Sequence, residues 1–428
     1  MTPAEHDSIP PAQGSVSRRR LFGVAGAGAL AGVSGVAGWG VANARDDRSA
    51  SAGLAYPFHG DHQSGIVTPA QDRLHFAAFD VTTDSREELV ALLQAWTVAA
   101  VAMTTGELVG GGAPQPYDAP PEDTGEAQDL DPAGLTITFG FGPTLFEKDG
   151  VDRFRLKNRQ PQELRTLPHF PADNLEPTRS DGDLCIQACA NDPQVAVHAI
   201  RNLARIGFGT VSMRWAQLGF GRTSSTSTTQ ATPRNLFGFK DGTANLHAEE
   251  PLDLAENVWV QAGDDPSSGW LVGGSYLVAR RISMRIETWD RTSLREQEAL
   301  IGRDRVEGAP LSGGTEFSEP DFALEGRDGP IMPMDSHVRL AHPSQNNNTK
   351  LLRRGYNFTD GADALGRLDA GLFFIAFVRE PLSRYVPMQT TLSRDDALME
   401  YLEHTGSGLW AVPPGTSPGE HVGQALFT

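Results

Sequence analysis

The alternation of apolar and polar positions first becomes regular at Arg73. RLHFAAFDV (73–81) predicts a strand. Thr83–Met103 predicts a helix: Ser85-Arg86-Glu87-Glu88 has a capping-box pattern, and Leu89, Leu92, Leu93 and Trp96 share one face. LTITFGFG (135–142), GDLCIQACA (182–190) and TVSMRWAQLGF (210–220) predict three more strands. Asp192-Pro193 opens a second helix with proline at its first position, and Ala196, Ile200 and Leu203 face one way along it. The order β-α-β-β-α-β is the split ferredoxin-like arrangement, so the expected class is α+β.

The second half echoes the first less cleanly. NVWVQ (257–261), GGSYLVARRI (273–282) and GLFFIAFVRE (371–380) predict strands, and Thr292–Arg303 and Ser393–His404 predict helices. Residues 305–370 form a long insertion rich in Gly, Pro and Asn. Segments of that length inside a domain are usually functional or disordered. This one carries His337, His342, Arg353 and Arg354, which favours function. The expected plan is a ferredoxin-like domain over 71–221 and another over 222–428. The Ser/Thr run at 223–232 would join them, and residues 45–70 would be a loose leader.

Length and composition support this plan. The chain has 428 residues, enough for two domains with a sizeable core. Its net charge of −18 argues against a nucleic-acid partner, which requires a clustered positive field. Cys185 and Cys189 lie on one predicted strand, too far apart for a local disulfide and too few for a four-thiolate metal site. Both read as small buried residues.

The N-terminus points to export. Ser17-Arg18-Arg19-Arg20-Leu21-Phe22 leads into an uncharged run that ends at Ala44 and contains seven glycines. A small-residue Ala42-Asn43-Ala44 step then precedes Arg45-Asp46-Asp47. This reads as a twin-arginine signal over 1–44, with a membrane anchor as the alternative; the glycine content makes the anchor the poorer reading. The twin-arginine route carries folded proteins, commonly with a cofactor already inserted.

Motifs with chemistry are few. The chain has no Walker loop, HExxH or GxSxG motif. GFKDGTAN (238–245) is by itself a strong turn signal. His337 or His342 could ligate haem or a metal, or be a merely hydrogen-bonded histidine. Trp215, Trp259, Trp289 and Tyr356 read as electron relays or, more commonly, as core aromatics.

GFKDGTAN resembles the GxxDG motif of the dye-decolourising haem peroxidases. The resemblance extends through CANDPQ (189–194), IGR…GAPL (301–311), GGTEF (313–317), DSHVRLAHP (335–343), LLRRGYNF (351–358) and HTGSGLWAVPPG (404–415). These blocks are similar, in the same order, to the exported deferrochelatase/peroxidase subgroup, and they span nearly the whole mature chain. The family's two ferredoxin-like domains form a dimeric α+β barrel-like architecture.

The resemblance implies haem b (protohaem IX), one per chain and not covalently bound, in the C-terminal domain. His337 would be the iron ligand, Asp241 the distal acid–base residue and Arg353 the distal arginine, with Arg354 as the fallback. Gly242, Thr243, Ala244, His342 and Pro343 would line the haem, and Arg303 would pair with a propionate. The implied reaction reduces hydrogen peroxide and oxidises dyes, phenols or other bulky donors. Release of iron from haem with the porphyrin intact, alongside an iron-uptake permease, and a non-enzymatic haem carrier are the alternatives. A homo-oligomer in the periplasm, the cell envelope or outside the cell is expected. Because an ordinary aspartate has a pKa of ~3.9 against ~6.5 for histidine, dye oxidation should have an acidic optimum.

Overall fold

The computed structural model describes residues 53–112, 116–327 and 329–428. The expected export signal and the first part of the leader lie outside them.

Four strands come from the first half: β1 (Arg73–Val81), β2 (Thr136–Phe141), β3 (Leu184–Ala190) and β4 (Val211–Arg222). The second half supplies β5 (Ser275–Met284), β6 (Tyr356–Ala362), β7 (Leu368–Val378) and β8 (Leu402–Val412). Within the first half the strands lie in the order β2-β3-β1-β4, and within the second in the equivalent order β6-β7-β5-β8. Each half is therefore a ferredoxin-like sheet. β8 meets β2 and β4 meets β6, which closes the eight strands into a barrel and leaves no open edge among them. The seams are narrow: Ala411 opposes Phe141 at one, and Phe220 and Arg222 oppose Asn357 and Tyr356 at the other.

Strand alternation divides the core in two. Leu74, Phe76 and Ala78 of β1 point into the barrel and meet Phe373 and Trp410 from the other half, with ring centroids 5.3 and 5.4 Å from Phe76. Ala77, Phe79 and Val81 point outward, under α1 (Arg86–Thr104) and α2 (Pro193–Ile206). Ser85 caps α1 by accepting the Glu88 N–H, and Asp192 caps α2. The second half uses the same outward face differently. Ile282 and Met284 of β5 and Leu372 and Phe374 of β7 face a cavity roofed by α4 (His337–Ala341) and α5 (Val386–Asp395), with α3 (Leu294–Ile301) beside it.

Several sequence expectations are corrected. NVWVQ is not a strand: Pro251–Asn257 is a short helix started by its proline, and an irregular buried segment follows. The helix expected over Ser393–His404 ends at Asp395, and β8 begins at Leu402. Asp396 breaks the run by capping a 3-10 turn at Ala397–Tyr401. The insertion is not wholly irregular, since β6 and the start of β7 lie within it. Nor is the described part of the leader loose. Ile66 is fully buried, and Gln63 donates to the Phe139 and Pro413 carbonyls. The Ser/Thr run is not a solvated linker, because Thr223–Ser227 are all buried.

Candidate active site

The site begins with the turn around Asp241. The Asn235 N–H donates to Phe239 O, the Gly238 N–H to Asn235 O and the Asp241 N–H to Pro233 O. Phe237 and Phe239 are buried against Trp289, with the Phe237 ring stacked at 4.2 Å. The turn is thus pinned on one side by apolar packing and presents Asp241 on the other. Gly242 has φ +90°, and a Cβ there would lie 2.8 Å from Ser224 Cα. Only glycine fits that close approach.

Asp241 is held by two donors. Arg353 Nη1 donates to its Oδ1 at 2.8 Å, and Asn235 Nδ2 to its Oδ2 at 3.3 Å. Arg353 reaches it from a two-residue strand, Leu352–Arg353, paired with β7. Successive residues of an extended chain point to opposite faces. Arg354 therefore turns away from the cavity and donates to Thr68 O and Gln71 Oε1, tying the N-terminal segment to the barrel. Its buried position removes the fallback assignment.

A different wall carries His337, the first residue of α4. Its Nδ1 lies 2.7 Å from Asp396 Oδ2. Asp396 is fixed in turn, since its Oδ1 accepts the Leu398 N–H at 2.9 Å and its side chain is fully buried. Burial disfavours a charged imidazole, but the Asp396 carboxylate outweighs it and holds the His337 pKa above its ordinary value. No described residue binds the Nε2 of His337, and the exposed part of its side chain, 36%, faces the cavity. Nothing in the sequence around Asp396 marked it as the partner of His337.

His342 differs in each of these respects. It lines the cavity, but its Nδ1 contacts Ser344 Oγ at 2.8 Å and its Nε2 contacts Glu319 at 3.3 Å. Both nitrogens are occupied at the rim. Gly242, Thr243, Ala244, Arg303 and Pro343 also line the cavity. Arg303 is engaged, donating through Nη1 to Gly308 O at 2.6 Å and Glu316 O at 2.7 Å. Burial lowers its pKa from the ordinary arginine value. Glu316, from GGTEF, grips the Asp241 turn by bonding Lys240 and accepting from Thr243 Oγ1 at 3.2 Å. Trp289 backs the turn, whereas Trp215, Trp259 and Tyr356 belong to the core that fills the barrel. Cys185 and Cys189 are free and buried, and burial raises both thiol pKa values.

The donor set suits haem. Among the described residues no group of three or more His, Cys, Asp or Glu is arranged to hold a bare metal ion. A single available imidazole nitrogen suits an iron whose remaining donors come from a macrocycle. The walls around His337 are apolar, from Ile282, Met284, Leu372, Phe374, Met388 and Leu398, as a flat porphyrin requires.

Residues 63–221 match the model of the Dyp-type peroxidase N-terminal domain, and residues 232–417 that of the C-terminal domain. The chain is 36% identical over 425 residues to the deferrochelatase of Escherichia coli (strain K12), covering 96% of this chain and 97% of the relative. A Yersinia pseudotuberculosis deferrochelatase is also 36% identical, over 96% and 95% of the two chains. Among solved structures, the oxyferrous complex of DtpA from Streptomyces lividans superposes with a TM-score of 0.80 at 39% identity, over 89% of this chain and 99% of that one. A DyP-type peroxidase from Cellulomonas bogoriensis gives 0.76 at 39%, over 88% and 99%.

Proposed function

The chain belongs to the Dyp-type peroxidase family, and from that premise we propose how its own residues divide the work. It is a haem-dependent peroxidase that takes hydrogen peroxide and a reducing substrate. One arrangement carries the assignment of residues: the Asp241–Arg353 pair and a histidine with a free Nε2 open onto the same apolar cavity.

Haem bound there would supply the redox change that splits the O–O bond. His337 is the residue that would hold the iron, through Nε2. Asp396 keeps the ring proton on Nδ1 and makes Nε2 a stronger donor. Asp241 would take a proton from one oxygen of hydrogen peroxide and return it to the other. Arg353 stabilises negative charge on the departing oxygen and, with Asn235, fixes the carboxylate. Gly242, Thr243, Ala244, His342, Pro343 and Arg303 line the cavity and would border the cofactor.

The cofactor is haem b, one per chain and held without covalent bonds, in keeping with both cysteines lying outside the cavity. Dyes, phenols and other bulky donors are the reducing substrates. The twin-arginine pattern supports export to the periplasm, cell envelope or beyond, with cleavage after Ala44. The functional form is a homo-oligomer. A second activity, release of iron from haem with the porphyrin intact, rests on the full-length likeness to deferrochelatases; an uptake permease would be its partner. Metal-free porphyrin fluorescence appearing on incubation with haem would support it; its absence would remove it.

The direct test of the peroxidase assignment compares wild type with Asp241→Ala, both loaded with haem. Each is mixed rapidly with hydrogen peroxide and the haem absorbance followed. The variant should react slower by about 10²–10⁴-fold. Equal rates would overturn the role of Asp241.

A further inference from the structure

Asn245 ends the GFKDGTAN block, and the residue is 5% exposed. Its Oδ1 accepts the Arg353 backbone N–H at 2.7 Å, and its Nδ2 donates to the Arg353 carbonyl at 2.9 Å. The same Nδ2 donates to Ser225 O at 2.7 Å. Both N–H donors of the amide and its carbonyl oxygen are thus engaged with backbone groups.

The amide occupies the place of a missing strand. β4 pairs with β6 as far as Arg222 opposite Tyr356, and the Thr223 N–H then bonds Gly355 O. One step further the chain has turned away. Arg353 pairs with Ala376 on one edge, and its own N–H and C=O point to the other edge. Without Asn245 those two groups would have no strand partner.

We propose that Asn245 is a positioning residue that holds Arg353 for the peroxidase reaction. The proposal rests on the distal role of Arg353 given above. A long arginine side chain with 28% of its surface exposed is not fixed by one ion pair alone. Clamping its backbone restricts where the guanidinium can start from. Because Asn245 lies four residues after Asp241, the clamp also locks the turn bearing the carboxylate to the strand bearing the arginine. The acid–base group and the charge stabiliser thus move as one body.

The test is a double-mutant cycle on the haem-loaded enzyme, read as the rate of reaction with hydrogen peroxide. Asn245→Ala should slow it by about ten- to hundredfold, the cost of misplacing a catalytic group by roughly an ångström. In an Arg353→Ala background the same change should cost at least several-fold less, because only the anchorage of the Asp241 turn then remains to be lost. Equal losses in both backgrounds would overturn the proposal. If Arg353→Ala alone leaves the rate intact, the distal role of Arg353 fails and the proposal falls with it.

Hydrogen exchange of the wild-type holoenzyme is a second reading that requires no variant to fold. The clamp predicts that the Arg353 amide is as protected as that of Arg354, which bonds Ile375 O at 2.8 Å. Fast exchange at Arg353 beside a protected Arg354 would overturn the clamp.

Discussion

His337 and Asp396 are 59 residues apart in the chain and 2.7 Å apart in the fold. The carboxylate is fully buried and spends its other oxygen on the Leu398 N–H. This geometry leaves one tautomer for the histidine, with the proton on Nδ1 and the lone pair of Nε2 facing the cavity.

Asp396→Asn tests that coupling. The amide can keep its oxygen on Leu398 only by turning its NH2 toward His337, which forces the ring proton onto Nε2. Haem affinity should fall by about 10–100-fold, the usual cost of losing such a partner. Titration of the apoprotein with haemin measures it. Unchanged affinity would mean that Asp396 does not orient His337.

Glu316 joins the insertion to the distal turn. Glu316→Gln removes the charge that faces Lys240 at a pair whose side chains are 12% and 23% exposed. Stability should drop by about 1–3 kcal/mol, the range for a partly buried charged group that loses its partner. A shift in urea midpoint at constant slope would report it.

Gly242→Ala should destabilise by about 1–3 kcal/mol, because the new Cβ meets backbone at Ser224 while φ stays at +90°. The loss should appear in both the denaturation midpoint and haem retention. A neutral substitution would mean that the turn can shift away from Ser224 at little cost.

Acid should weaken the fold. Burial pushes His404 down to about 3, and neighbouring Arg280 acts in the same direction. Unfolded, this histidine protonates near 6.5. Below that pH the unfolded chain binds a proton that the folded chain refuses, so stability declines from about 6.5 toward the folded value near 3. The loss from this one group between pH 6.5 and 5 is about 2 kcal/mol. His75, pushed by burial to about 4, adds to it. Urea midpoints at the two pH values measure the decline, and His404→Gln should make it shallower. If the two proteins decline equally, His404 is not responsible. Dye oxidation is still expected to be fastest in acid, on the side where the fold is losing stability.

Much of this fold was legible because it is local. The strands Arg73–Val81 and Leu368–Val378 and the capped helix after Ser85 follow from alternation and caps that need no distant partner. Errors occurred where tertiary contacts overrule local pattern. NVWVQ has strand composition, but after the helix Pro251–Asn257 its Val258, Trp259 and Val260 are packed into the core as an irregular segment. Ser393–His404 has helical spacing, yet Leu402 onward pairs with Met284 and its neighbours on β5.

The site divides in the same way. Asp241, His337 and Arg353 were visible because short blocks around them keep recognisable spacing. Asp396, Glu316 and Asn245 were not, because their work is done through hydrogen bonds to residues that the sequence alone does not bring near.

The sequence by itself determined which side chains are available and which segments become strands, helices and turns, since those choices depend on backbone preference and periodicity within a dozen residues. Only the tertiary structure decided which side chains meet. Closing two four-stranded sheets into one barrel brings the 235–245 turn against Arg353. Docking α5 over the same sheet brings Asp396 to His337. Both results depend on burying apolar faces between segments more than fifty residues apart, a condition that no local pattern encodes.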